Sequence, residues 1–195
     1  TELIDDLYKL TKNRRALIFC NSRKNVEILT AQLNRRSTRE RIPEHYLPHH
    51  GSISKEIREH AEIRMRGDDF PTSVVCTNTL ELGIDIGQLD LAVQIDSTHT
   101  VMSFVQRLGR TGRRQDASRT MQIYTSDLQP EPGDEFYRRL PFSLLKALAV
   151  VDLFIEGWLE PPFERTVPYN VLYHQILSRL VETHGSSAKD LVRHF

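Results

Sequence analysis

Three short, largely apolar runs place the tightest limit on the fold of this chain. They cover Ala16–Cys20, Thr72–Cys76 and Leu89–Ile95, and each is continuous rather than alternating. A continuous run of this length is typical of a strand buried on both faces, which occurs mainly in parallel sheets. Helical patterns separate the runs along the chain. The alternation predicts an α/β domain whose parallel sheet is covered by helices on both faces.

Two weaker strands and their connections complete the predicted domain. The strands are expected within His45–Ser52 and over Arg119–Tyr124, and a helix is expected over Thr1–Leu10. Ser22 or its neighbour can cap a helix that follows the first buried strand. The polar, basic stretch Arg35–Glu44 is predicted to be a surface loop.

Charge and cysteine content narrow the possible functions. The chain of 195 residues has 26 Lys and Arg against 26 Asp and Glu, so it has no overall cationic field. Contact with nucleic acid would depend on local patches, such as Arg35–Arg41 or Arg107–Arg114. Cys20 and Cys76 each end an apolar run and are expected to be buried, reduced thiols, which favours a cytoplasmic protein. No apolar run reaches the 18 residues that suggest a membrane span.

The stretch Gln106–Arg114 is the strongest functional signal. Four arginines occur within eight residues, with Gly109 expected to end the preceding helix. A guanidinium group stays charged and donates two hydrogen bonds at once, which suits phosphate oxygens. An arginine near a turn is therefore a candidate arginine finger for phosphoryl transfer. A solvated basic turn is the alternative interpretation of this stretch taken alone.

Polar residues also follow the predicted strands. Because the carboxyl ends of parallel strands lie at one edge of a sheet, these residues are expected to converge there. Each alone is also compatible with a plain cap or turn. These residues carry hydroxyl groups, an amide or a carboxylate, or are glycines that permit close approach: Asn21, Ser22, Gly51, Ser52, Thr77, Gly83 and Asp85.

Four of these segments together resemble a known family. Phe19–Ser22, His50–Ser52, Thr77–Asp85 and Gln106–Arg113 match motifs IV, IVa, V and VI of superfamily 2 helicases in order and spacing. The match covers residues 15 to 127 and implies a second RecA-like domain. The run Leu80–Gly87 is most similar to large helicase-related (Lhr-type) DNA helicases. DEAD-box RNA helicases usually have Ala-Arg-Gly where this chain has Glu-Leu-Gly.

The resemblance implies a role for each matching residue. Arg110 and Arg113 would reach the γ-phosphate of ATP held on a partner domain, with Arg113 as the finger proper. Gln106 would position their helix and couple it to the nucleotide. Gly83 and Asp85 would lie on the nucleotide side of the cleft. Contacts to phosphates of a bound strand are implied for the other residues at this edge: Asn21, Ser22, Gly51, Ser52 and Thr77.

The cofactors that the resemblance implies are ATP and Mg²⁺, yet the motifs that hold them are missing. The sequence contains no GxxxxGK[ST] and no Asp-Glu pair at the end of a strand. In the family these belong to the first RecA-like domain, which is expected upstream of Thr1, so the chain is interpreted as a fragment without ATPase activity of its own. His49 and His50 lack a second ligand cluster, and no metal site is predicted.

Several functions remain open at this point. The favoured one is the second motor domain of an ATP-dependent DNA helicase or translocase, acting on single-stranded or partly duplex DNA, with DNA repair as its expected setting. A DEAD-box-type RNA helicase and a non-catalytic RecA-like binding module are the alternatives. An independent α/β enzyme is disfavoured because no nucleophile and base are evident.

The composition changes after residue 127. The predicted RecA-like domain covers residues 1–135, and residues 136–195 form a small all-α segment. An apolar helix is expected from Pro141 to about Gly157, and further helices over Tyr169–Glu182 and from Ser187. This order resembles the beginning of a winged-helix domain, although packing is favoured over DNA contact for these helices.

Overall fold

The chain forms two compact units, residues 1–160 and 161–195. The computed structural model describes residues 2–42, 45–67, 70–82, 86–87, 89–112, 119–127, 129–131, 133–161 and 168–194. The domain boundary predicted after residue 135 stays a prediction. The described residues contain no helix long and apolar enough to cross a membrane.

A five-stranded parallel sheet forms the centre of the first unit. The strands are β1 (Ala16–Phe19), β2 (Tyr46–His49), β3 (Ser73–Cys76), β4 (Leu91–Ile95) and β5 (Met121–Tyr124). Their order is β2-β3-β1-β4-β5, and all four neighbouring pairs are parallel. Every strand predicted from the sequence is present, and the RecA-like α/β fold is confirmed.

Seven α-helices surround or follow the sheet in the described part of the chain. They are α1 (Glu2–Thr11), α2 (Arg23–Arg39), α3 (Lys55–Arg66), α4 (Val101–Leu108), α5 (Phe142–Ile155), α6 (Tyr169–Glu182) and α7 (Ala188–His194). Two short 3₁₀ turns cover Asn78–Leu80 and Phe136–Arg139. Helix α6 has the bounds that the sequence predicted.

Burial on both faces of β1 explains its unbroken apolar run. Ile18 packs on one face in a cluster with Leu33 of α2, whereas Leu17 packs on the other in a cluster with Met65 of α3. All four residues are fully buried. Successive side chains of a strand point to opposite faces, so both must be apolar when helices cover both.

The predicted surface loop at 35–44 is wrong over its first five residues. Helix α2 continues to Arg39 because side chains of its last turns are buried or form hydrogen bonds to the sheet. Ser37 is buried, and the side-chain amide of Asn34 donates to the carbonyl of Tyr46 at 2.7 Å and accepts from its N–H at 3.2 Å. This bidentate contact holds the end of α2 against the start of β2, at the amino edge of the sheet.

Helix α5 belongs to the first unit, where it packs on α4. Val150 is buried with Phe104, and the rings of Phe104 and Phe154 meet edge-on at 5.2 Å between centroids. The sequence expectation that so apolar a helix must pack on another element is met. In the second unit, Ser187 caps α7 by accepting from the N–H of Asp190 at 3.1 Å. The winged-helix assignment stays a prediction.

Truncation of Leu33 tests the packing of α2 on the sheet. We expect Leu33→Ala to lower the free energy of unfolding by about 2–5 kcal/mol, since a fully buried side chain leaves a cavity. Ile28→Ala on the same helix is the control, because Ile28 is exposed and its loss should change stability by less than about 0.5 kcal/mol. Chemical denaturation measures both. Equal losses would contradict this packing.

Candidate nucleic-acid and nucleotide edge of the sheet

The loops that follow β1, β2 and β3 start side by side. Backbone pairing continues beyond the strands, since the N–H of Cys20 donates to the carbonyl of Cys76 at 2.8 Å and the N–H of Thr77 to that of His49 at 3.2 Å. The carboxyl ends of the central strands therefore form one continuous edge, as the sequence predicted. In open α/β sheets this edge is where ligands bind.

Asn21 and Ser22 form the loop after β1, and both are exposed. The side-chain amide of Asn21 donates to the carbonyl of Ser97 at 2.9 Å, which ties this loop to the loop after β4. The hydroxyl oxygen of Ser22 accepts from the N–H of Asn25 at 3.1 Å, so the predicted cap of α2 is confirmed. The hydroxyl hydrogen of Ser22 is not used by that bond.

Gly51 and Ser52 follow β2 and are also exposed. The N–H of Ser52 donates to Nδ1 of His50 at 3.3 Å, which fixes the turn. A guanidinium N–H of Arg23, the first residue of α2, donates to the hydroxyl of Ser52 at 2.5 Å. Half-buried Thr77 begins the 3₁₀ turn after β3, and its hydroxyl makes no capping bond there. Three loops thus present hydroxyl groups on the same edge.

Helix α4 starts at this edge, after β4, and runs toward the start of β5, where the N–H of Thr120 donates to the hydroxyl of Thr111 at 3.2 Å. Thr100 caps α4 by accepting from the N–H of Ser103 at 3.0 Å, and the carboxylate of Glu160 accepts from the N–H groups of Val101 and Met102 at 2.6 and 2.9 Å. Gly109 ends the helix as predicted, where a β-carbon would lie 3.2 Å from the carbonyl oxygen of Val105. Gln106 lies half-buried on the last turn of α4.

Arg110 follows α4 and is half-buried. Its Nε and Nη2 donate to the backbone carbonyl of Glu81, at 3.1 and 2.7 Å. This carbonyl belongs to the segment after β3 that leads to Gly83.

Arg107 is turned into the protein rather than toward the edge. Its Nε and Nη2 lie 2.9 and 2.8 Å from one carboxylate oxygen of Glu81, and both residues are buried. Nη1 donates to the side-chain oxygen of Gln94 at 2.5 Å, and the guanidinium lies 4.9 Å from the ring centroid of Phe19. The other carboxylate oxygen of Glu81 accepts from the hydroxyl of Ser103 at 2.7 Å.

The two neighbouring histidines have structural partners. His49 lies between the hydroxyl of Thr79 at 2.8 Å and the carboxylate of Glu62 at 3.1 Å, and Nε2 of His50 lies 3.2 Å from the carboxylate of Glu27. Among the residues that the structure describes, no three His, Cys, Asp or Glu side chains could hold a metal ion.

Comparison with known proteins identifies the family of this chain. The family model described as "Helicase conserved C-terminal domain" matches residues 1–115, which is more than half of the chain. The chain belongs to this family. Within it, the chain is an Lhr-type helicase C-terminal domain, as its relatives show.

Three relatives illustrate the likeness. "ATP-dependent helicase Lhr-Core" of Methanothermobacter thermautotrophicus is 36% identical over 113 residues, which are 57% of this chain and 13% of the relative. "Lhr helicase/uracil glycosylase" of Escherichia coli is 32% identical over 135 residues, 55% of this chain and 9% of the relative. The structure of Mycobacterium smegmatis helicase Lhr bound to ssDNA and AMP-PNP has a TM-score of 0.68 and 28% identity, over 82% of this chain and 19% of that one. The chain thus spans less than a fifth of each relative.

The helicase C-terminal domain brings the loop residues of the predicted site to one edge. Helix α4 ends toward the start of β5, and the Arg110 guanidinium reaches the segment that follows Thr77. Asn21, Ser22, Gly51, Ser52 and Thr77 lie in adjacent loops after the strands, and Gln106 and Arg110 lie at the end of α4. Gly83, Asp85 and Arg113 lie outside the described residues, and their roles stay predictions.

Sequence reasoning missed the buried pair of Arg107 and Glu81 in this helicase domain. On α4, Val105 and Leu108 are half-buried whereas Arg107 is buried. One signal was available: Gln94 is a polar residue inside a strand buried at every position, and a buried amide needs a polar partner.

His49 of β2 and His45 just before this strand are expected to give the helicase domain a pH-dependent stability. Burial is the main cause that lowers the pKa of His49 below its ordinary value, against the opposing effect of Glu62, and burial also lowers the pKa of His45. A lower pKa in the folded state means that the unfolded chain binds more protons. Stability from these groups is therefore full above the unfolded pKa of about 6.5 and is lost as the pH falls.

We expect the free energy of unfolding to fall between pH 7 and pH 5, and His49→Gln to make that fall smaller. His60→Gln is the matched control, since His60 is exposed on α3. Urea titrations at each pH measure the change. A His49→Gln variant with the slope of the unsubstituted chain would contradict the assignment.

Proposed function

We propose that this domain supplies one wall of an ATP pocket and part of a single-strand track in an ATP-dependent DNA helicase or translocase. The observation that carries the proposal is the contact of Arg110, whose guanidinium bonds to the carbonyl of Glu81, four residues after Thr77. Arg110 and Arg113 would stabilise charge on the transferred phosphoryl group, with Arg113 as the finger proper and Gln106 coupling α4 to the nucleotide.

The nucleotide would be held mainly by another domain of the full-length protein. The sequence has no phosphate-binding loop, and no described cluster of carboxylates offers Mg²⁺ a site. We therefore assign the triphosphate and Mg²⁺ to a first RecA-like domain, with Gly83 and Asp85 facing it. The relative from Mycobacterium smegmatis, solved with AMP-PNP and ssDNA, supports a pocket and a strand site in proteins of this type.

The strand track would be built from hydroxyl and amide donors rather than a basic surface. Ser22, Ser52 and Thr77 can each donate to a phosphate oxygen, Asn21 lies beside them, and Gly51 leaves room for close approach, since a β-carbon there would meet nothing within 4 Å. Contacts to phosphates do not read the bases, so such a track accepts any sequence. DNA is favoured over RNA because the segment after β3 is of the Lhr type.

Removal of the Arg110 guanidinium tests the catalytic part of the proposal. In the full-length protein we expect Arg110→Ala to lower strand-stimulated ATP turnover by about 10³-fold or more, because charge on the transferred group loses a donor. Arg35→Ala is the matched control, since Arg35 is exposed near the end of α2, at the opposite edge of the sheet. Residues 1–195 alone are expected to give no Mg²⁺-dependent turnover. Unchanged kcat in Arg110→Ala, or turnover by 1–195 abolished by Arg113→Ala, would refute the proposal.

Substitution of the edge hydroxyls tests the strand track. We expect Ser52→Ala and Thr77→Val each to raise the Kd for single-stranded DNA roughly fivefold, since each removes one bond to a phosphate worth about 1 kcal/mol. The loss should be equal for oligonucleotides of different sequence. Thr38→Val, exposed near the end of α2, is the control. Fluorescence anisotropy with DNA and RNA of one sequence also ranks the two nucleic acids, and tighter RNA binding would favour the RNA helicase alternative.

A further inference from the structure

One residue, Glu81, receives both arginines at the end of α4. Its carboxylate binds Arg107 through two nitrogens at 2.9 and 2.8 Å, and its backbone carbonyl binds Arg110 through two nitrogens at 3.1 and 2.7 Å. A guanidinium held by two of its nitrogens is fixed in direction as well as in distance. The segment after β3 and the end of α4 are therefore locked together at two successive points.

The lock extends along one face of α4. Ser103 and Arg107 are four residues apart, so they lie one above the other on the helix, and both bind the Glu81 carboxylate. The side-chain oxygen of Gln94 accepts from Arg107, and its side-chain amide donates to the carbonyl of Ile95 at 2.9 Å. With each of these polar groups bonded, α4 has little freedom to rotate about its axis or slide along it.

Glu81 is also joined to the residue at the strand track. Thr77 and Glu81 are the two ends of one 3₁₀ turn, which is closed by a bond of 3.0 Å from the N–H of Glu81 to the carbonyl of Asn78. Buried Leu80 anchors the middle of the turn in the core. A displacement of Thr77 by a bound phosphate would therefore be transmitted to Glu81 over a single short, closed turn.

We propose that Glu81 is a positioning residue that couples occupancy of the strand track to the placement of Arg110. Its carboxylate holds α4 in register with the turn at 77–81, and its carbonyl orients the Arg110 guanidinium. The inference rests on the proposed function, since it assigns Arg110 to the nucleotide and Thr77 to the strand. It adds a residue that touches neither the strand nor the nucleotide. This residue determines whether binding of the strand accelerates reaction of the nucleotide.

The competing explanation is that the buried pair only stabilises the fold. A single Glu81→Gln substitution does not separate the two, because it leaves the Arg107 cation buried without its partner. The double variant Glu81→Gln/Arg107→Met removes both charges and keeps the volume, and replacement of a buried pair in this manner is often tolerated. It retains the backbone carbonyl that binds Arg110 but releases the hold on α4.

The experiment compares ATP turnover of the full-length double variant with and without single-stranded DNA. We expect it to melt within a few degrees of the unsubstituted protein and to keep its basal kcat and its KM for ATP. We expect stimulated kcat to fall by about 10- to 100-fold, as for a catalytic group displaced by about 1 Å. Glu59→Gln is the matched control, because Glu59 is exposed on α3. A purely structural role predicts full stimulation in a stable double variant, and that result would overturn the proposal.

A second variant decides the matter if the double variant does not fold. Glu81→Asp keeps the charge and shortens the side chain by one methylene, so the pair can persist only if α4 shifts. Loss of stimulation with unchanged basal turnover supports the coupling role, and full stimulation would contradict it. Failure of the proposed function looks different: the unsubstituted protein itself would show no strand-stimulated turnover, or Arg110→Ala would retain it.

Discussion

The buried ion pair between Glu81 and Arg107 is the contact on which the arrangement of this domain's edge depends. It joins the segment after β3 to the helix that carries the arginines, across 26 residues of sequence. Loss of one partner from such a pair costs about 3–5 kcal/mol, because the other charge stays buried. Gln94, Ser103 and the ring of Phe19 complete its surroundings. With the pair in place, the Arg110 guanidinium reaches the segment that follows Thr77.

The parallel sheet explains why segments distant in sequence meet at all. The order β2-β3-β1-β4 places four strands side by side, and every one of them ends at the same edge. A chain with no net charge can then still present a few hydrogen-bond donors together at that edge. Helix α2 runs from this edge to the opposite one, where its terminal arginines Arg35 and Arg39 lie away from the candidate site.

Sequence patterns predicted what depends on local composition. Continuous apolar runs identified the buried strands, and the cap Ser22 marked where α2 begins. The end of α2 was predicted wrongly because its polar residues look like a loop, whereas Asn34 bonds to a strand that lies later in the chain. The inward orientation of the Arg107 side chain was not predicted, for the same reason. Nothing local distinguishes it from Arg110, and only the fold brings the carboxylate of Glu81 and the side chain of Gln94 to Arg107.

The most direct test of the central claim is a structure of the full-length protein with ADP, aluminium fluoride, Mg²⁺ and single-stranded DNA. The account predicts that the Arg110 guanidinium lies within about 3 Å of a fluoride that mimics the transferred phosphoryl group, with Arg107 still bound to Glu81. An Arg110 side chain directed away from the nucleotide, with the cleft closed by other residues, would contradict it.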